Sequence, residues 1–274
     1  MELLTLVVPP TTLVTALLFW FGFELVDARA SYFGLSTGTL GFTTTDYLIR
    51  GVQAGIVPLI VLLAAVLGGV AVHTEAHRLA DRCGTAKLFG WGVGSVIVGG
   101  ALAGVVGAYG AFRPLPPPLD WYLLPPILLA TGPLVTAFAA RCLRPEAPVA
   151  RSAQISAAAV GGLVLLGLFW ATSLYADALG RGSAQQLGAS LAAQPRVTVY
   201  SERALAIDPA VAPTERLNSE ENGRYLYRYS RLRLLIRSAE KYFLLPDNWT
   251  PTTGTILVIP DGSEIRIEFA PGGR

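Results

Sequence analysis

Charged side chains are scarce in this sequence. They make up 15% of the 274 residues, and the mean hydropathy is +0.50. A soluble globular domain carries about 25% charged residues, so we expect a large part of this chain to lie in lipid. The formal net charge of +2 is also too small to indicate a nucleic-acid partner.

Histidine and cysteine are nearly missing as well. His73 and His77 are the only histidines, and Cys83 and Cys142 are the only cysteines. The carboxy-terminal third therefore has no disulfide framework and cannot assemble a Ser-His-Asp triad. The sequence also contains no P-loop, no G-x-G-x-x-G turn that opens a helix and no H-E-x-x-H pair. We predict a protein that is not an enzyme and carries no cofactor.

The few charges are unevenly distributed. Residues 1–175 contain nine Lys and Arg and eight Asp and Glu, whereas the last 99 residues contain twelve and eleven. This shift predicts a transmembrane helical domain over 1–175, a linker helix over 176–195 and an extracytoplasmic β-rich domain over 196–274.

Five apolar segments are long enough to cross a bilayer, which takes about 20 helical residues for about 30 Å of hydrocarbon. The first has no basic residue at its amino end and no cleavage-site pattern after it, so we interpret it as a retained helix. The expected fold is an α-helical integral membrane protein with about five transmembrane helices, followed by a small antiparallel β-rich soluble domain. The segments run over 3–25, 52–72, 88–111, 121–141 and 155–175.

Basic residues predict the orientation of these segments. The loops after the second and fourth segments hold six basic residues, and the loops on the other side hold three. Because basic loops tend to stay in the cytoplasm, we predict a multipass protein of the plasma membrane with a cytoplasmic amino terminus. The larger set is Arg78, Arg82, Lys87, Arg141, Arg144 and Arg151, and the smaller set is Arg29, Arg50 and Arg113.

Glycine is concentrated in the third apolar segment. Gly90 with Gly94, and Gly100 with Gly104, form two G-x-x-x-G spacings. Small residues one helical turn apart let two helix backbones approach closely. The pattern predicts either close packing within one bundle or a homo-oligomer interface.

Short runs rich in β-branched and aromatic residues follow Pro195. Asn222-Gly223 and Asp261-Gly262 are turn signals between them, and the segment 202–223 looks irregular. The predicted strands cover 196–201, 224–237, 241–246, 255–260 and 264–269.

The long predicted strand has two different faces, because side chains alternate along a strand. A face of Tyr and Arg can bind lipid headgroup phosphates, anionic cell-wall glycans or a partner strand. Alternatively, it is a solvated face whose Arg residues pair with nearby acids. The Tyr/Arg row is Tyr225, Tyr227, Tyr229, Arg231, Arg233 and Arg237, and the apolar row is Leu226, Leu232, Leu234 and Ile236.

Two smaller groups are candidates for ion chemistry. Glu24 and Asp27 lie one turn apart near the outer end of the first segment, as a candidate ion pathway or as hydrated interfacial charges. His73 and His77 also lie one turn apart, and Cys83 and Cys142 are on the same predicted side of the membrane. These four are a candidate metal site, and the alternative is a charged helix end.

The loop before the second segment contains Thr39-Leu40-Gly41-Phe42, which is close to the potassium-filter pattern. However, Thr43 stands where the filter has its last glycine. The following residues predict a helix start, with Thr44 or Thr45 as the N-cap and Asp46 in the first turn. We expect this loop to lie at the membrane interface or to dock the β-rich domain rather than to line a pore.

Three stretches carry a resemblance. "SYFGLSTGTLGFTTTDYLIRG", "YADALGRGSAQQLGASLAAQPRVTVYS" and "YRYSRLRLLIRSAEKYFLLPDNW" resemble a group of uncharacterised multipass actinobacterial membrane proteins. The bias toward Arg, Ala, Gly and Pro, with Lys only at Lys87 and Lys241, is that of a GC-rich bacterial genome. The resemblance implies no activity and no site residue.

The function predicted from these features is that of a non-enzymatic envelope protein that senses or scaffolds through its exterior β-rich domain. Its expected partners are the lipid bilayer and an anionic lipid or cell-wall component. The alternative is a homo-oligomeric channel or transporter, which the loop at 36–51, the acid pair and the glycine-rich helix would serve.

Overall fold

The computed structural model describes residues 10–56, 86–143, 151–218 and 223–273, and scattered positions between 58 and 68. The chain divides into two compact units. The helical unit takes in the chain up to Phe23 and Leu48–Ala176, and the sheet unit takes in Glu24–Tyr47 and Asp177–Arg274. The sheet unit thus includes a stretch near the amino terminus that the predicted domain 196–274 leaves out.

The described residues form six α-helices and a single 3₁₀ turn, Leu191–Ala193. The predicted linker helix over 176–195 is helical only to Ala189, where the helix Arg151–Ala189 ends. The rest of the predicted linker contains the 3₁₀ turn. The helices are α1 (Pro10–Tyr32), α2 (Thr37–Leu40), α3 (44–56, with further helical positions to 68), α4 (Ala86–Gly110), α5 (Leu124–Leu143) and α6 (Arg151–Ala189).

Two of the described helices are long and apolar enough to cross a membrane. They are α4 over Gly92–Gly110 and α6 over Gln154–Ala189, whereas the apolar part of α5, Leu124–Ala140, is shorter. The described part of α1 does not meet the same length and composition. The predicted spans 3–25 and 52–72 run partly outside the described residues, so a count of five spans stays a prediction.

Helices α4 and α5 pack closely because glycines lie on both sides of their contact. A side chain at Gly107 would come within 2.4 Å of the Leu129 backbone nitrogen, and one at Gly132 within 2.4 Å of the Gly104 nitrogen. The Gly100/Gly104 spacing therefore serves packing within this chain. At Gly92 and Gly94, by contrast, no described atom lies within 4 Å of a Cβ position.

The sheet unit contains a six-stranded antiparallel sheet in the order β5-β4-β3-β1-β6, with β2 beside the first half of β3. The expectation of an antiparallel β-rich part is thus confirmed. The irregular segment 202–223 nevertheless contains a short strand, β2. The strands are β1 (Arg196–Ser201), β2 (Thr214–Arg216), β3 (Tyr227–Ser238), β4 (Lys241–Pro246), β5 (Leu257–Pro260) and β6 (Ile265–Ala270).

This sheet coils around its own core. Tyr242 of β4 and Phe269 of β6 have ring centroids 6.1 Å apart although β3 and β1 separate their strands in the sheet order. The enclosed side chains are those expected of a β-core, since burying them removes apolar area from water. The fully enclosed members are Val197, Val199, Ala212, Tyr229, Leu232 and Leu244.

A second core lies between the sheet and the helical segments of the sheet unit. Trp249 contacts Phe33 of the α1–α2 loop, with ring centroids 5.0 Å apart. Ala184 and Leu187 of α6 complete the cluster with Leu245 of β4. The sheet is therefore fixed to the ends of α1 and α6 by buried aromatic and aliphatic side chains.

Candidate functional site

The predicted Tyr/Arg row does not form one face of the sheet. In strand β3, the pairing register with β1 shifts between Val197 and Val199, and Arg231 has a left-handed backbone with φ of 58°. A bulge of this kind inserts an extra residue and reverses the alternation of side chains. The expectation of one uninterrupted two-faced strand over 224–237 is therefore wrong.

Tyr229 lies inside the first core instead of on a surface. Its side chain is fully buried among Val199, Leu232 and Leu244. The backbone nitrogen of Leu205 donates to the Tyr229 hydroxyl oxygen at 2.8 Å, so the buried hydroxyl has a partner. Tyr227 is half-buried and packs against the same core.

Arg233 is an internal structural residue. Its guanidinium donates to a carboxylate oxygen of Asp247 at 2.5 Å and to the carbonyl oxygens of Ala192 and Gln194 at 2.9 and 3.0 Å. The side chain is 11% exposed. This arrangement joins β3 to the 3₁₀ turn and to the turn after β4, because one planar donor group on β3 bonds to both.

The remaining members of the row are accessible. Arg231 is exposed at the bulge, and Arg237 pairs with Asp261 at 2.9 Å while its guanidinium lies 5.1 Å from the centre of the Tyr242 ring. Tyr225 precedes β3, and the Cζ atom of Arg224 lies 5.3 Å from the centre of the Tyr225 ring. Any binding by this row is thus left to Arg231, Arg237 and Tyr225.

The two candidate acids of the first segment belong to the sheet unit. The Thr37 hydroxyl donates to a carboxylate oxygen of Asp27 at 3.3 Å. Asp27 therefore bonds to the first residue of α2. A role of Asp27 and Glu24 in an ion pathway stays a prediction.

The loop with the filter-like tetrad packs against the sheet. Thr37–Leu40 forms one helical turn that ends at Gly41, where φ is 65°. The Ser238 hydroxyl, at the end of β3, donates to the Leu40 carbonyl oxygen at 2.5 Å. These contacts join the loop to the sheet within the sheet unit. That the loop docks the β-rich domain onto the membrane part stays a prediction.

Helix α3 begins one residue earlier than expected. Thr43 is its N-cap, because the Asp46 nitrogen donates to the Thr43 hydroxyl oxygen at 3.3 Å. In return, the Thr43 nitrogen donates to the Asp46 carboxylate at 2.8 Å. This reciprocal capping box makes the choice of Thr44 or Thr45 wrong.

Near this cap, burial and the charges of Asp27 and Asp46 raise the pKa of Tyr47.

The candidate metal residues cannot be compared in space. His73, His77 and Cys83 lie outside the described residues, and Cys142 lies near the end of α5. Within the described ranges, the structure contains no cluster of three or more metal-ligating side chains.

A groove of about 270 Å³ lies where β1 ends and the chain passes from β5 to β6. It is half open, and its charged side chains are Arg203 and Glu264. Its other lining residues are Ser201, Leu205, Pro260, Gly262, Ser263 and Ile265.

Sequence reasoning missed the residues that join the sheet to the helix ends. Neither Trp249 nor Phe33 belongs to a motif that the sequence analysis singled out. A tryptophan within "LPDNWTP" is a weak signal of burial, since a large aromatic side chain in a polar turn needs an apolar partner. Its partner is more than two hundred residues away in the chain, which no local pattern shows.

Comparison with known proteins adds no family to this description. No family model, no curated protein and no solved structure matches the chain.

Proposed function

We propose that this chain is a non-enzymatic integral membrane protein of a bacterial envelope, related to the actinobacterial group it resembles, that binds an envelope component through its sheet unit. The observation that carries the proposal is the second core, in which Trp249 and Leu245 of the sheet pack on Phe33, Ala184 and Leu187. A sheet held in this way moves with the ends of α1 and α6, as a membrane-anchored sensor or scaffold requires.

Exposed apolar surface supports the membrane location. Only 17% of the most apolar 18-residue stretch of α4 is buried within the chain, and only 6% of the corresponding stretch of α6. Val105, Ile155 and Leu166 are among the side chains left open, with exposed fractions of 66%, 66% and 59%. Apolar surface of this extent usually marks contact with lipid or with another protein. We propose about five spans, a cytoplasmic amino terminus and an extracytoplasmic sheet unit.

The ligand class follows from the accessible cations. Arg231 carries no ion pair with a described acid, and Arg237 is half exposed in its pair with Asp261. Guanidinium groups of this kind bind phosphate and carboxylate oxygens. We therefore propose an anionic partner, either the headgroup of a lipid or a cell-wall polymer.

The test uses the full-length protein in detergent with two probes, vesicles rich in anionic lipid and purified cell-wall sacculi. Co-sedimentation should be found with one of them, and Arg231→Ala combined with Arg237→Ala should weaken it at least severalfold. Arg216→Ala combined with Arg181→Ala removes two exposed charges elsewhere in the sheet unit and should change little. The proposal is wrong if neither probe binds the protein, or if the two double variants bind the probes equally well.

The channel or transporter alternative has its own test. It requires ion flux in proteoliposomes that Glu24→Ala or Gly41→Ala changes. On our account, no such flux is found.

A further inference from the structure

The outer edge of β6 is the strongest candidate for a further function. Strand β6 pairs with β1 on one side, and no described strand pairs with its other side. An unpaired strand edge offers backbone donors and acceptors to a further strand. What such an edge can accept depends on which backbone groups point outward.

The orientation of those groups follows from one hydrogen bond. The Glu202 nitrogen donates to the Glu264 carbonyl oxygen, and these two residues extend the β1–β6 register in which Ser201 lies opposite Ile265. In an antiparallel pair, alternate residues direct both backbone groups to the same neighbour. Arg266 and Glu268 therefore direct theirs toward β1, and Ile265, Ile267 and Phe269 direct theirs outward.

The other edge of the sheet, β5, is blocked by the same reasoning. The Asp261 nitrogen donates to the Glu240 carbonyl oxygen, which continues the β4–β5 register of Lys241 opposite Pro260. Val258 and Pro260 are then the outward residues of β5. Proline has no N–H group, so this four-residue edge has one outward donor. Edge strands with proline resist further pairing.

The sequence of β6 is complementary to itself. If two copies of β6 pair antiparallel about Ile267, then Ile267 lies opposite Ile267, Ile265 opposite Phe269, and Arg266 opposite Glu268. Opposite charges and apolar pairs placed in this way stabilise a sheet. Arg266 and Glu268 form an exposed ion pair with each other on one face, with side chains 60% and 43% exposed, and pairing across copies would exchange this contact for two between strands. Phe269 is 51% exposed on the other face.

The backbone groups match in the same register. Each Ile267 would donate to and accept from its counterpart, and each Phe269 N–H would reach the Ile265 carbonyl of the other copy. The Ile265 N–H is already used, because it donates to the Gly262 carbonyl oxygen. The pair of strands therefore forms four hydrogen bonds, and no unpaired donor is left at its centre.

We propose that β6 is a homotypic interface, at which a second copy of this chain adds its β6 antiparallel about Ile267. This interface is separate from the glycine-rich helix and does not depend on which ligand the sheet unit binds. The paired Arg266 and Glu268 side chains would fall at non-hydrogen-bonded positions, where Cα atoms are about 4.5 Å apart. Two reciprocal ion pairs then set the register.

The test is cysteine cross-linking of the full chain in native membranes, with Cys83→Ser and Cys142→Ser as background. Ile267→Cys should give a disulfide-linked dimer on mild oxidation, because opposed Cα atoms at about 5.5 Å lie within the range of about 4.4–6.8 Å that disulfides accept. Ile265→Cys and Phe269→Cys are the matched controls. Either variant alone should give no dimer, because the two cysteines of a dimer would then lie about 14 Å apart. Co-expression of the two variants should give a disulfide-linked dimer, because residue 265 of one copy lies opposite residue 269 of the other.

Charge reversal tests the register independently of these thiols. Arg266→Glu or Glu268→Arg should weaken Ile267→Cys dimer formation by roughly five- to thirtyfold, and the two changes together should restore it. Lys241→Glu, an exposed reversal on β4, should have no effect. The proposal is overturned if accessible thiols at 267 give no dimer, if Ile265→Cys alone cross-links, or if the double reversal does not restore pairing.

Discussion

Arg233 and Arg237 lie on the same strand and were predicted to do the same thing, yet their surroundings differ. Arg233 is 11% exposed and bonds to one carboxylate and two carbonyl oxygens, whereas Arg237 is 58% exposed and bonds to Asp261. Removing a buried cation leaves the polar groups that it bonded to without a partner. An exposed ion pair contributes little, because water and salt screen it.

Arg233→Ala should therefore lower the free energy of unfolding of the sheet unit by about 2–3 kcal/mol, because it leaves two carbonyl oxygens and the partly exposed Asp247 carboxylate without their donor. Arg237→Ala, the matched change, should lower it by about 0–1 kcal/mol. Urea titration of the detergent-solubilised protein, followed by tryptophan fluorescence, measures both. Equal losses for the two variants would contradict the structural role of Arg233.

Trp249 is the residue on which the second core depends. It is 7% exposed, and the absence of a side chain at Gly254 lets the chain pass against its indole ring, where a Cβ would lie 2.2 Å from a ring carbon. Removing a large buried aromatic side chain costs both transfer energy and cavity energy.

We expect Trp249→Ala to destabilise the sheet unit by about 3–5 kcal/mol and to make it sensitive to limited proteolysis. Trp121→Ala is the control, since that side chain is 54% exposed, and its digestion pattern should match that of the original protein. If the sheet unit resists protease equally in both variants, the second core does not hold it.

At the scale of elements, the strands were the easiest to predict. The runs 196–201 and 241–246 match β1 and β4, because β-branched and aromatic residues between turn signals fit a pleated surface. What local pattern could not show is the bulge at Arg231. A left-handed backbone at a non-glycine residue is unfavourable on its own, and here it lies between two paired stretches of β3.

The start of α3 shows the same limit on a smaller scale. Thr43, Thr44 and Thr45 are all good N-cap residues, and composition does not distinguish between them. The reciprocal bonds between Thr43 and Asp46 do, because a capping box needs the acid three residues after the cap.

Thr43→Ala should accordingly cost about 1 kcal/mol of stability, whereas Thr44→Ala should cost less. Thr43→Ser keeps the hydroxyl and should stay near the original protein. Thermal unfolding by circular dichroism in detergent compares the three. A greater loss at Thr44 than at Thr43 would contradict the assignment of the cap.

On the scale of the whole molecule, composition predicted a chain with an apolar helical part and a β-rich part. It placed the boundary along the sequence, near residue 175. The structure instead groups Glu24–Tyr47 with the carboxy-terminal residues. The reason is the contact of Phe33 and Leu40 with Trp249 and Ser238, which charge statistics do not register.

We propose a membrane protein whose sheet unit lies outside the cytoplasm. Thr252 is exposed in the turn after β4 and can report on it as Thr252→Cys, with Cys83→Ser and Cys142→Ser removing the native thiols. The control retains Cys83 alone, which is predicted to face the cytoplasm.

The most direct measurement is labelling of these two variants with a membrane-impermeant maleimide, in intact cells and after permeabilisation. If the sheet unit is extracytoplasmic, Thr252→Cys is labelled in intact cells and remains with the membrane after carbonate washing. Cys83 is then labelled only after permeabilisation. Labelling of Thr252→Cys only in permeabilised cells, or release of the protein by carbonate, would show that this placement is wrong.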